Sequence, residues 1–174
     1  MDNPPKSFDM ISSAMKLTGG FTLSQLAEIS GLETTTIQNW VKRGWIEPPK
    51  DRRYGEESVA RVLIINMLKG VMQLSDIVSL LSYVNGKVDD RTDDAIPDGE
   101  LYNLLCSVTA EIDKTSFDID EIDQIIAEKT KNYIEPFPRG KEKLCNAIKV
   151  MMLAHISSKL KKQAQDLLAS VLKN

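Results

Sequence analysis

Apolar side chains recur along this chain at three- and four-residue steps, the spacing that gives a helix one oily face. Residues 7–17 set Phe8, Ile11, Ala14 and Met15 at that spacing and stop at Gly19-Gly20, which predicts a short helix with a glycine stop. Thr22-Leu23-Ser24-Gln25 has the form of a capping box, in which the Thr hydroxyl and the Gln amide satisfy first-turn backbone N–H groups. The helix it opens carries Leu26, Ala27 and Ile29 and ends at Gly31. After the corner Gly31-Leu32, residues 33–42 place Ile37, Trp40 and Val41 on one face and Thr34, Thr35, Gln38, Asn39 and Lys42 on the other. A further helix is expected from about Glu56, with Val59, Val62, Leu63, Ile65, Met67 and Leu68. Another is expected from an N-cap at Ser75, with Ile77, Val78, Leu80 and Leu81.

From Asn85-Gly86 to Pro97 apolar periodicity vanishes and turn formers and acids dominate, so this stretch reads as a linker. Beyond it, Asp98 reads as an N-cap leading to Leu101, Leu104, Leu105, Val108 and Ile112, and Asp118 as another leading to Ile122, Ile125 and Ile126. Pro136-Phe137-Pro138-Arg139-Gly140 breaks the chain. Residues 141–172 then carry Leu144, Ile148, Met151, Met152, Ile156, Leu160, Ala164, Leu167 and Val171, the pattern of one long amphipathic helix. Such a helix either covers its own core or forms a two-stranded seam. The stripe exceeds what a domain of under ninety residues readily covers, so Ile148, Met152, Ile156, Leu160 and Leu167 are expected to hold a homodimer. The expected organisation is a helical extension over 1–20, a first domain over 21–84, an acidic linker over 85–97 and a helical dimerisation or effector domain over 98–174. The fold class is mainly all-α.

Composition narrows the chemistry. Among 174 residues, 42% are hydrophobic and 27% charged, with nine Gly and seven Pro, which excludes collagen-like, disordered and disulfide-scaffold classes. No apolar run approaches the ~18 residues of a membrane helix, so no membrane partner and a cytoplasmic location are expected. Cys106 and Cys145 have no Cys or His neighbour at metal spacing and read as free thiols. His155 is the single histidine, in a stretch that looks like a helix interior, which leaves no material for Ser/His/Asp or Cys/His catalysis. Gly19-Gly20 is too short for a dinucleotide fingerprint, and Gly140-Lys141-Glu142 lacks the rest of a phosphate loop. Asp118, Asp120, Glu121 and Asp123 lack the glycine turn and terminal glutamate of a calcium loop. Neither an enzyme nor any cofactor or metal is expected.

The formal net charge of -3 conceals segregation. Residues 1–86 balance nine basic against nine acidic side chains, residues 87–128 hold three against thirteen, and residues 129–174 hold ten against three. The last two blocks are expected to attract each other within one domain. Inside the neutral block, residues 36–54 carry Lys42, Arg43, Lys50, Arg52 and Arg53 against only Glu47 and Asp51.

That basic spot adjoins an unusual helix face. Thr, Gln and Asn have mediocre helix propensity, yet they line the outer side of residues 33–42, where they suit contact with bases and phosphates. Two short helices joined at a glycine corner, the second with such a face, read as a helix-turn-helix. Residues 23–81 further resemble the DNA-binding domain of MerR-type transcription regulators, through Gly31-Leu32, Thr36-Ile37, Trp40, Gly44-Trp45-Ile46, Arg52-Arg53-Tyr54, Glu56-Glu57-Ser58-Val59 and the run from Leu74 to Leu81. The resemblance implies a winged helix-turn-helix in which Thr34–Lys42 enters the major groove, Arg52 and Arg53 meet phosphates and Tyr54 buttresses the wing. Glu33 stands where that family has a Ser cap, Gln38-Asn39 where it has an Arg-Tyr pair, and only six residues separate Ile46 from Arg53, which predicts a minimal wing. The whole chain also resembles a family of uncharacterised proteins from low-GC Gram-positive bacteria.

The expected function is a sequence-specific regulator that binds a palindromic site in double-stranded DNA as a homodimer, under an unidentified small-molecule or protein effector. The DNA-facing set is Thr34, Thr35, Thr36, Gln38, Asn39, Lys42, Arg43, Lys50, Arg52, Arg53 and Tyr54. The alternative is a protein-interaction adaptor that uses the same helices without DNA.

Overall fold

The computed structural model describes residues 8–114 and 119–173, and among them every regular element is a helix. The order is α1 (Phe8–Thr18), α2 (Leu23–Ser30), α3 (Thr34–Lys42), α4 (Glu56–Leu68), α5 (Leu74–Asn85), α6 (Asp98–Ile112), α7 (Ile119–Lys129) and α8 (Gly140–Val171). The all-α expectation holds. The expected cap at Asp118 lies outside the described residues. Ser75 is not a cap: α5 begins one residue earlier, after Gln73, which makes no side-chain cap bond.

α4 organises the core. Its sequence EESVARVLIINML is apolar nearly all round, so it is buried nearly all round, and it packs against α1, α2, α5, α6 and α8. α8 closes the other side against α5, α6 and α7, with Leu144, Ala147, Ile148, Met151 and Met152 fully enclosed.

One core therefore runs from Phe8 to Ile156, and the expected division into extension, domain, linker and domain does not separate distinct cores. α1 is built in: Phe8 and Tyr102 rings meet edge-to-face at 6.1 Å, and the Phe8 N–H donates to Asn103 Oδ1 at 2.7 Å. The 85–97 stretch is packed as well. Ala95 and Ile96 are buried, and Tyr133 donates its hydroxyl to the Ala95 carbonyl. Its lack of periodicity reflects the absence of regular structure, not the absence of a packing role.

The expected dimer residues divide at the point where α8 leaves the body. Ile148, Met152 and Ile156 belong to the intrachain core, which corrects their assignment to an interface. Leu160 and Leu167 are half exposed or more, on a projecting end where every residue from 160 to 173 is exposed.

Candidate nucleic-acid interface

α2 and α3 are joined as local chemistry dictates. Gln25 N donates to Thr22 Oγ1 at 3.3 Å and Thr22 N donates to Gln25 Oε1 at 2.9 Å, which completes the capping box. Gly31 ends α2 in the left-handed conformation at φ 66°, where a Cβ would be strained, and its N–H bonds the Ala27 carbonyl. The chain then turns into α3, whose Ile37 and Trp40 are buried with Leu26 and Leu32. Burying those anchors turns Thr35, Gln38, Asn39 and Lys42 outward, while Thr34 and Thr36 are half buried on the flanks. The outward four span about 10 Å of helix. None of them commits its side chain to a partner among the described residues.

Eight residues beyond α3 the chain makes a tight turn. Lys50 and Arg53 exchange backbone bonds of 3.0 and 2.8 Å around Asp51 (φ 49°) and Arg52 (φ 64°), the paired positive φ values of a two-residue hairpin turn. Such turns favour glycine, so a non-glycine pair there stores backbone strain. The turn is pinned from behind by an antiparallel bridge between Phe21 and Tyr54. Gly20 is required at that seam, since a Cβ would sit 2.6 Å from the Tyr54 carbonyl oxygen.

The basic set then divides by geometry. Lys42, Arg43, Lys50 and Arg52 are exposed; Arg43 stacks over Trp45 at 5.0 Å and Lys50 meets Glu47 at 3.3 Å. Arg53 is turned inward, with Nη1 donating to the Gly20 carbonyl at 3.0 Å, so it clamps the turn. Tyr54 is 3% exposed, and its burial pushes the hydroxyl above its ordinary pKa. Its side chain supports the turn from within the core and has no face for DNA.

Sequence reasoning missed a buried polar cluster where α4, the end of α5 and the start of α6 meet. Arg61 Nη1 donates to Asp98 Oδ2 at 3.0 Å, and Asn85 Nδ2 donates to Asp98 Oδ1 at 2.9 Å. Glu57 Oε2 accepts from the Asp98 N–H at 2.6 Å, and Asn85 Oδ1 accepts from the Ile96 N–H at 3.3 Å. Asp98 is not the expected N-cap: Pro97 holds that position, and Asp98 is the first residue of α6 and faces the core. The available signal was a lone Arg inside the apolar run of α4. Burial raises the Glu57 pKa, opposed by the bonded backbone N–H of Asp98.

Among the described residues, no group of three His, Cys, Asp or Glu side chains could hold a metal, and both cysteines are free thiols. His155 is half buried, with Nε2 3.3 Å from Asp113 Oδ1, an oxygen that also accepts from Lys159 at 2.8 Å. A cleft of about 590 Å³ opens against the C-terminal end of α3, lined by Val41, Ile46, Glu47, Val78 and Asp93 among others. No described helix is long and apolar enough to cross a membrane.

The family described as a domain of unknown function (DUF1836) matches residues 17–105, just over half of the chain. The chain belongs to the DUF1836 family. The DUF1836 match runs from the end of α1 to the middle of α6, so it contains the two short helices, the strained turn, the 85–97 stretch and the Arg61–Asp98 pair, while the second half of α6 and all of α7 and α8 lie beyond it. The uncharacterised protein YkrK of Bacillus subtilis (strain 168) is 25% identical over 161 residues, an alignment covering 86% of this chain and 69% of that protein. These relationships agree with the resemblance to an uncharacterised family. No solved structure matches.

Proposed function

We propose that this DUF1836 protein is a sequence-specific DNA-binding transcription regulator whose α3 reads the major groove of duplex DNA. The observation that carries the reading is the outward row Thr35, Gln38, Asn39 and Lys42, polar and uncommitted, with exposed Lys50 and Arg52 following it within ten residues along the chain. Amides of Gln and Asn pair with adenine edges, and the basic side chains neutralise phosphates. In this reading the turn is a minimal wing of the MerR type: exposed Arg52 at its tip would meet phosphate, while Arg53, bonded to the Gly20 carbonyl, and buried Tyr54 hold the turn in place. The cleft against the end of α3 offers a small effector a route to the reading helix. Two copies on a palindromic site would double the few base contacts of one short helix.

Selection of bound sequences from random duplex DNA tests this reading, with an enriched palindrome expected and loss of affinity as salt rises. An adaptor is the second reading, favoured by an acidic chain of pI 5.3. It predicts no enriched sequence and no retention on duplex DNA at low salt.

A further inference from the structure

α8 carries two apolar stripes, and only one of them is used inside the chain. The inner stripe, Leu144, Ala147, Ile148, Met151 and Met152, is enclosed by the body. The outer one is Val150, Leu153, Ser157, Leu160, Ala164, Leu167 and Val171, separated by steps of three, four, three, four, three and four residues. Leu153 lies two residues beyond Met151, about 200° around the helix, so the second stripe faces away from the core. Its five large side chains are between 40% and 65% exposed.

We infer that this outer stripe pairs with the same stripe of a second copy, forming a two-stranded coil along the last six turns of α8. The spacing is that of a heptad seam, with Leu at all three d positions and Val at the first and last a positions, the combination that favours two strands. No seam position is charged, and Lys159 and Lys162 stand off the seam. The seam is roughly 32 Å long, and its five large side chains each present on the order of 100 Å². Counting both copies gives about 1,000 Å², the area a specific interface should clear and a little under the ~1,200 Å² at which stable ones begin. A second copy is the fitting occupant because a two-fold contact sets a patch against itself, and this patch repeats its own spacing over its whole length.

Sedimentation of the full chain at micromolar concentration, without DNA, tests the inference separately from any reading of DNA function. The unmodified protein should run as a dimer of the 19.5 kDa chain. Leu160→Lys and Leu167→Lys should each weaken association at least about tenfold while keeping their helical signal. Ala169→Lys puts the same charge on the exposed opposite side of the same helix and should leave the dimer intact. A monomer in the unmodified protein would overturn the inference and leave the stripe to a different partner. Equal dissociation by Ala169→Lys would also overturn it, since charge on the projecting end would then be the cause.

Discussion

Arg52 sits at a backbone position that its side chain does not favour, and this separates its structural cost from its proposed role. A non-glycine residue in the left-handed region costs about 1–2 kcal/mol relative to glycine, and Arg52 holds φ 64° within the turn closed by Lys50 and Arg53. Glycine gives back about 0.4–1 kcal/mol through its freer unfolded chain. Arg52→Gly should therefore stabilise the protein by a net of roughly 0.5–1 kcal/mol, or about 1–4 °C in Tm for a chain of this size. Arg52→Ala keeps the strain and loses only the charge, so its Tm should stay near that of the unmodified protein. On duplex DNA both variants should bind more weakly, with the slope of log affinity against log salt flatter by about 0.9 per lost phosphate contact. Thermal melts and salt titrations of the two variants side by side measure both effects. A Gly variant that melts no higher than the Ala variant would show that the turn is not held left-handed. An unchanged salt slope in both would remove Arg52 from the interface.

Gln38→Ala or Asn39→Ala should lose about 1–3 kcal/mol on the selected sequence and little on random duplex, and equal losses on both would place those amides off the bases. Asp98→Ala strands the enclosed Arg61 guanidinium and should destabilise the fold by about 3–5 kcal/mol in urea unfolding, whereas a loss under about 1 kcal/mol would mean that Arg61 finds water. Glu57 holds its proton more tightly folded than unfolded, because burial raises its pKa above 4.5. Between the two values the folded state binds more protons, so this group's contribution is full below the unfolded pKa and is lost as pH rises through the folded one. Glu57→Gln should flatten that decline when urea midpoints are compared across mildly acidic pH, and identical pH profiles would refute it. The Cys106 thiol, pushed up to about 11 chiefly by burial, should react slowly with thiol reagents at neutral pH in the native state and rapidly in urea.

What could be read from the sequence was what neighbouring residues decide among themselves. The Thr22–Gln25 capping box, the Gly31 corner and the outward row of α3 depend on partners within a few positions, and each was legible as a spacing. The long last helix was legible too, because three- and four-residue steps need no distant partner to be recognised. Which of its two apolar stripes is enclosed was not legible. Ile148, Met152 and Ile156 and the series from Val150 to Val171 all recur at helical spacing, and only the placement of α4, α5, α6 and α7 against one face decides between them. The same holds for Arg61 and Asp98, separated by 37 positions, and for Arg53, whose guanidinium reaches back 33 positions to the Gly20 carbonyl. A charged side chain looks alike in sequence whether it meets water, a phosphate or a buried carboxylate. The difference is made by the low-dielectric surroundings that remote segments build around it, and those exist only once the chain has folded.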